Sequence, residues 1–246
     1  KKVSSKNKIN TCEIRNNPLR KTELENLQYG KEKYFSSILD LSLGHEKLWS
    51  NLNKKRRNSI RKSMFHPFKI VKGHSNILLL HELYSSRMRE LGTPSHSTAF
   101  FINTIRYLKD FCDVFLIKLD DKVVGGSLIF KFKKTAFSSV NITLQEYSYY
   151  NPTDYIYWKL IEYYSKKGFN KFDFGRSSFG TGTHNYKKKW NGNNLEYKYQ
   201  YFYNYKEQSI RYNPDDLRST LLKQIVKLSP NILSKYINPF FRREIP

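Results

Sequence analysis

Apolar residues recur along the chain with two periods, and the switches between them mark out the elements. Short β-like runs come first, at 9–15 and 37–41, separated by a polar, turn-rich stretch at 16–33. From Ser42 the period turns helical. Leu48, Trp49, Leu52, Arg56 and Ile60 share one side, and Lys54-Lys55-Arg56-Arg57 crosses it, predicting an amphipathic and strongly positive helix. Ile77, Leu80, Tyr84, Met88 and Leu91 then follow three- and four-residue spacing, from a cap at Ser75 to a stop at Gly92.

A second helix over about 98–109 leads into three β-like runs, 114–119, 123–132 and 136–144. The connections Asp120-Asp121-Lys122 and Lys133-Lys134-Thr135 are short enough to make these runs antiparallel hairpins. Asn151-Pro152-Thr153-Asp154 supplies turn and capping residues for a helix through Ile156, Leu160, Tyr163 and Tyr164, ended by Gly168. A strand at 171–174, a glycine-rich loop at 175–182, a segment at 186–190 and an alternating aromatic strand at 195–205 complete the pattern. Helix, helix, three antiparallel strands, helix, strand, loop, strand is an α+β order. The pieces before 41 make no domain of their own.

Composition changes this picture in one respect. The chain has 246 residues, enough for a sizeable core without disulfides or metals, and 44 Lys or Arg against 21 Asp or Glu. Eighteen of those cations and only six of the acids fall in the first 75 residues, so the excess is clustered and points to a polyanionic partner. Over-use of Lys, Asn, Tyr and Ile as a general bias is the competing reading. Cys12 and Cys112 stand 100 residues apart with no metal-ligand spacing, so reduced thiols are expected, with neither disulfide nor metal. No apolar run approaches a membrane span, and a cytoplasmic protein is expected.

The motifs are more specific than the order of elements. Phe172-Asp173-Phe174-Gly175-Arg176-Ser177, then Gly180-Thr181-Gly182, then Tyr186-Lys187 with Trp190-Asn191-Gly192, resembles the signature FDFGRS, GTG, FK and WG of the FemAB-like family of GNAT-superfamily acyltransferases. Upstream, Leu48-Trp49 with Arg57, Ile60, Arg61 and Lys62 is similar to that family's positive helix, and Leu91-Gly92-Thr93-Pro94 to its LGTP turn. Asn151-Pro152 and Tyr157-Trp158 fit the start of its following helix loosely. The resemblance covers about 38–205. The tail, with Asn213-Pro214 and 238–243, is similar to a subgroup found alongside exosortase and exopolysaccharide systems.

This resemblance implies a GNAT-like α+β fold, with a mixed, mostly antiparallel sheet flanked by helices and a substrate cleft where strands splay apart. It also implies three regions: 1–41 as the edge of a first GNAT-like lobe, 42–210 as the acyltransferase domain and 211–246 as a basic amphipathic tail. Transfer of an acyl group from an ester or thioester to an amine passes through a tetrahedral oxyanion, which needs a fixed cation or N–H donors and a proton acceptor. By resemblance Lys187 is that cation and Tyr186 a stacking surface for the donor. Asp173 is the nearby carboxylate to accept a proton, and its alternation between two aromatics would turn it to a cleft or solvent if they face the core. Arg176 is a candidate to hold a phosphate or carboxylate, against a plain salt bridge to Asp173. Trp190, Asn151 and Arg89 are the remaining substrate-binding candidates; Arg89, near a helix C-terminus, is also where a cation is favoured anyway.

For nucleic acid the candidates are Arg56, Arg57, Arg61 and Lys188. The donor expected is aminoacyl-tRNA, since the chain lacks the Gln/Arg-x-x-Gly-x-Gly/Ala loop of acetyl-CoA users; acyl-CoA is the alternative, and no resident cofactor is expected. The acceptor expected is an amine-bearing envelope precursor, handled by a monomer with peripheral contact to anionic membrane. The rival of another class is a non-catalytic protein that sits on nucleic acid or anionic lipid through the helix around Arg57 and the tail 217–243. Gly180-Thr181-Gly182 reads as a turn rather than a P-loop, because no Gly-Lys-Ser/Thr follows. Zinc hydrolysis is unsupported, because Ser85 stands where His81-Glu82 would need its second histidine.

Overall fold

In a computed structural model, residues 11–15, 28–29, 34–203 and 217–228 are described. The expected strand positions 9–10 and 204–205, most of the turn-rich stretch 16–33, Asn213-Pro214 and the tail beyond 228 lie outside the described residues. The strands are β1 (Thr11–Arg15), β2 (Gln28–Tyr29), β3 (Tyr34–Asp40), β4 (Phe68–Lys72), β5 (Cys112–Leu119), β6 (Lys122–Phe132), β7 (Thr135–Thr143), β8 (Lys171–Ser178), β9 (Asn193–Tyr197) and β10 (Tyr199–Tyr203). The helices are α1 (His45–Asn51), α2 (Lys54–Met64), α3 (Ile77–Glu90), α4 (Thr98–Leu108), α5 (Pro152–Lys166), α6 (Gly182–Lys188) and α7 (Leu217–Leu228). The α+β class holds: helices flank a mixed, mostly antiparallel sheet.

The chain forms two compact units, 41–172 with 211–246, and 1–40 with 173–210. The breaks fall at 40/41, 172/173 and 210/211, the middle one inside the stretch 42–210 that the sequence groups as one domain.

The larger unit is built on the meander β4-β5-β6-β7, antiparallel throughout. Leu119 pairs with Lys122 and Phe132 with Thr135, so both hairpins close through two-residue loops, and Asp120 and Lys133 take the positive φ that such turns require. Ile77, Leu80 and Tyr84 on one face of α3 pack with Phe101 of α4 against Val114, Leu116 and Leu128 of the sheet. Burying one such side chain contributes about 1.5–3 kcal/mol. Gly125 and Gly126 let the strands come this close: a Cβ would stand 2.6 Å from the Ile142 carbonyl oxygen at Gly125, and 2.7 Å from that of Phe115 at Gly126.

The single helix expected from Ser42 is instead a 3-10 turn, Leu41–Leu43, and two α-helices. Asn53 breaks it: in extended backbone, its side chain accepts from the Arg56 N–H at 2.8 Å and caps α2. Asn76, rather than Ser75, stands at the start of α3, after a 3-10 turn His74–Asn76. Strand β4 carries no alternating pattern strong enough to announce it; its residues read Phe-Lys-Ile-Val-Lys and only Phe68 is buried.

In the smaller unit the early strands find partners from the far end of the sequence. β3 stands between β8 and β9, and β10 between β1 and β2. The aromatic strand expected over 195–205 is therefore two strands interrupted at Lys198: Tyr197 pairs with Tyr34, while Tyr199 pairs with Arg15.

Candidate active site

Strand β8 and helix α6 carry the candidate residues of the smaller unit. Phe172 and Phe174 are fully buried, and the residue between them, Asp173, is 7% exposed. Alternation had suggested that Asp173 would face a cleft or solvent, but β8 is covered on both faces, as an inner strand is. Its carboxylate accepts a hydrogen bond from Ser36 Oγ on β3 and another from the Gly175 N–H at 2.8 Å. Gly175 has φ +78, a conformation that a side chain disfavours, within β8, which runs on to Ser178.

The strand is followed by a helix, α6, where the sequence reading expected only loop. Thr181 caps it, accepting from the His184 N–H at 3.2 Å, and the Gly180 N–H donates to His184 Nδ1. His184 is buried beside Phe35, with ring centroids 5.2 Å apart. The last turn of α6 then delivers Lys187 inward. Its ammonium donates to the carbonyls of Gly175 at 3.0 Å and Arg176 at 3.3 Å, and only 9% of the residue is exposed. An ammonium carries three N–H donors, so one remains for a third acceptor.

Burial pulls the Lys187 pKa down to about 8, against the charge of Asp173, which favours the ammonium. Burial likewise raises the Asp173 pKa, opposed by the bonds from Ser36 and Gly175 and by the positive charge of Lys187. At neutral pH the pair is thus a mostly charged lysine beside a carboxylate of strengthened basicity. The lysines that follow, Lys188 and Lys189, are exposed, so the three members of the run are not equivalent.

Around this centre, Trp190 is fully buried with its ring 5.6 Å from Phe174, and half-buried Tyr186 lies edge-on to Trp190 at 6.5 Å. Trp190 packs as a core residue. Arg176 does not pair with Asp173. Its guanidinium lies over the Tyr34 ring at 4.7 Å and donates to Tyr199 Oη at 2.6 Å, exposed at the surface. Ser36, His184, Tyr34 and Tyr199 were not foreseen. Ser36 is 137 residues from Asp173, and no local pattern links two such positions.

The other candidates belong to the larger unit. Arg89 is half-buried in the last turn of α3, and Asn151 takes a left-handed conformation just before α5. Arg56 is buried in an ion pair with Asp154, which also accepts from Ser59 Oγ. Arg57 donates to the carbonyls of Ser50 and Leu52 at the end of α1. Arg61 lies exposed over the Trp49 ring at 5.4 Å. Arg56 and Arg57 therefore do not present the stripe of free charge expected of them: the residues that line one face of α2 are drawn into packing. Asp113, a third buried carboxylate, is held by Lys72, Lys131 and the Tyr164 hydroxyl.

Among the described residues no group of three His, Cys, Asp or Glu is placed to hold a metal ion. No helix among them is long and apolar enough to cross a membrane.

Comparison with known proteins puts a family to this geometry. The family described as the acetyltransferase (GNAT) domain matches residues 48–188. No curated protein sequence matches the chain. Among solved structures, FemX is similar in fold, with a TM-score of 0.62 at 12% identity over 78% of this chain and 64% of that one. The C-terminal domain of a putative lysylphosphatidylglycerol synthetase from Agrobacterium fabrum gives 0.54 at 13% identity, over 71% and 61%. A tandem GNAT protein from the clavulanic acid biosynthesis pathway gives 0.52 at 9% identity, over 84% and 68%. The chain thus spans less than two thirds of the length of the FemX and synthetase-domain chains. At these identities the likeness is one of fold.

Proposed function

Because the chain belongs to the acetyltransferase (GNAT) domain family and is an acyltransferase, we propose that it moves an aminoacyl group from aminoacyl-tRNA to an amine of an envelope precursor, in the cytoplasm or at the inner membrane face. The observation that carries this reading is the Lys187 ammonium. It is buried, held by two backbone carbonyls and left with one N–H. In a site largely removed from water, such a cation stabilises an oxyanion far more than a solvated lysine does.

The acceptor amine attacks the carbonyl carbon of the aminoacyl ester, and the carbonyl oxygen gains the charge that Lys187 stabilises. The intermediate collapses by breaking the bond to the ribose oxygen. Asp173 takes the proton that the amine loses, and that proton ends on the leaving hydroxyl. Its raised pKa supports the role, since a carboxyl closer to neutrality is a better base. Tyr186 and Arg176 hold the donor, Arg176 through the face of its guanidinium not stacked on Tyr34. The resemblance of the motif residues to the FemAB-like family and the basic α2 support tRNA as donor. The family's description as acetyltransferases supports a second reading, with acyl-CoA in its place.

The experiment offers the purified chain labelled aminoacyl-tRNAs or labelled acetyl-CoA, each with a panel of amine acceptors. Label is expected to reach an acceptor from aminoacyl-tRNA. Transfer from acetyl-CoA alone would replace this reading with the second one.

Asp173→Asn tests the proton acceptor. The rate should fall by about 100- to 10,000-fold at every pH, the scale of a lost general base. A plateau within about threefold of wild type, with only the alkaline limb displaced to lower pH, would reduce Asp173 to a counter-ion of Lys187.

A further inference from the structure

Six of the eleven residues of α2 are cationic and none is acidic. Three of the six are engaged: Arg56 with Asp154, Arg57 with backbone carbonyls and Arg61 with Trp49. The other three, Lys54, Lys55 and Lys62, are exposed, and among the described residues no carboxylate lies within ion-pair distance of them. These three line one open depression with Asn58, Ser59 and Asn151.

Two features set this depression apart from an ordinary solvated face. Lys54 and Lys55 occupy the first turn of α2, the positive end of the helix dipole, where a cation is disfavoured and a carboxylate or phosphate favoured. The charge placed there works against the helix until an anion sits beside it. Exposed aromatic residues also stand close in the chain to the lining residues Asn151 and Lys62. Tyr149, 85% exposed, accepts through its carbonyl from the Asn151 amide, and Phe65, 87% exposed, follows directly on the C-terminal end of α2.

We infer that this depression binds single-stranded RNA, the lysines and the Asn58 and Asn151 amides taking backbone phosphates while Tyr149 stacks on a base. Lysines beside exposed aromatic rings are the combination by which single strands are held without sequence readout. The assignment rests on the aminoacyl-tRNA reading above for its biological source, since the charged end of a tRNA is single-stranded. It moves the nucleic-acid contact from the arginines expected from the sequence to lysines that carry no structural duty.

The test uses the full chain and a fluorescent single-stranded RNA followed by anisotropy over a range of salt. Lys54→Glu, Lys55→Glu and Lys62→Glu are combined in one variant. A second variant reverses Lys109, Lys122 and Lys133, three exposed lysines elsewhere in the larger unit, and changes net charge equally. Glutamates at 54 and 55 favour the first turn of the helix while one at 62, in the last turn, works against it, so circular dichroism checks that the first variant folds. It should bind RNA at least about tenfold more weakly. Its log-log salt slope should flatten by about 2, at roughly 0.7 per phosphate released. The second variant should stay within about twofold of wild type. Tyr149→Ala should weaken binding severalfold without changing the slope.

Equal losses in the two triple variants would overturn the assignment in favour of diffuse charge. Unchanged RNA binding, with lost binding to vesicles of phosphatidylglycerol and phosphatidylcholine, would make the depression a membrane contact instead. If RNA binds here but no aminoacyl group is transferred, the donor reading fails and the site stands. If transfer from aminoacyl-tRNA is indifferent to the three lysines, the site fails and the donor reading stands.

Discussion

Replacing Lys187 by alanine is expected to lower the rate of acyl transfer by about 100- to 1,000-fold, the scale for removing one oxyanion donor, with the fold retained by circular dichroism. Lys188→Ala and Lys189→Ala should stay within about twofold, since both side chains are exposed while Lys187 is 9% exposed and bound to two carbonyls. Similar, mild defects in donor affinity from all three would make the run a phosphate-tracking patch and remove Lys187 from the mechanism.

The pH dependence gives the same assignment a second readout. Burial sets the Lys187 pKa at about 8 rather than the ordinary 10.5, so the cation disappears above about pH 8 and the rate should fall there. Lys187→Arg keeps its charge across this range. It should retain part of the activity, since a guanidinium lacks the compact geometry of an ammonium, and lose the alkaline limb. For stability the sign is opposite. Between about pH 8 and 10.5 the unfolded chain binds the proton that the folded chain has released, so this group adds stability as pH rises through that window. Lys187→Met should abolish that increment in urea titrations.

The second large effect is on stability. Arg56→Ala should cost about 3–5 kcal/mol, because it leaves the Asp154 carboxylate buried without its counter-charge. Urea unfolding measures this. Arg56→Met combined with Asp154→Leu should recover most of the loss, since a buried ion pair is often replaced by apolar side chains at little cost. A loss under about 1 kcal/mol for Arg56→Ala would mean that the pair is open to water. A charge reversal at Arg56 thus says nothing clean about RNA, and loss of binding in such a variant reports unfolding of α2 from α5.

Most of the larger unit was legible in the chain itself. The spacing of Ile77, Leu80 and Tyr84, the stop at Gly92 and the two hairpin turns all encode short-range preferences, and those preferences won. Asn53 misled the reading because apolar periodicity runs on through it from Leu48 to Ile60, while its capping side chain breaks the helix. The candidate site was legible only as an ordered set of motif residues. Periodicity put Asp173 opposite its two aromatic neighbours but said nothing of the burial of both faces of β8, where side chains from other elements, among them Tyr157 on Phe172 and Trp190 on Phe174, pack against it.

By itself, the sequence determined the α+β order, because local propensity is a property of neighbouring residues, and its resemblance to the FemAB-like family gave the acyltransferase assignment and the reason to single out Lys187. Only the tertiary structure decided what each charged group does. Ser36 reaches Asp173 across 137 residues, the last turn of α6 brings Lys187 to the carbonyls of Gly175 and Arg176, and Asp154 withdraws Arg56 from the surface while Lys54, Lys55 and Lys62 stay on it. Charge, pKa and availability depend on burial and on partners, and these are fixed by contacts between segments that the linear pattern cannot pair.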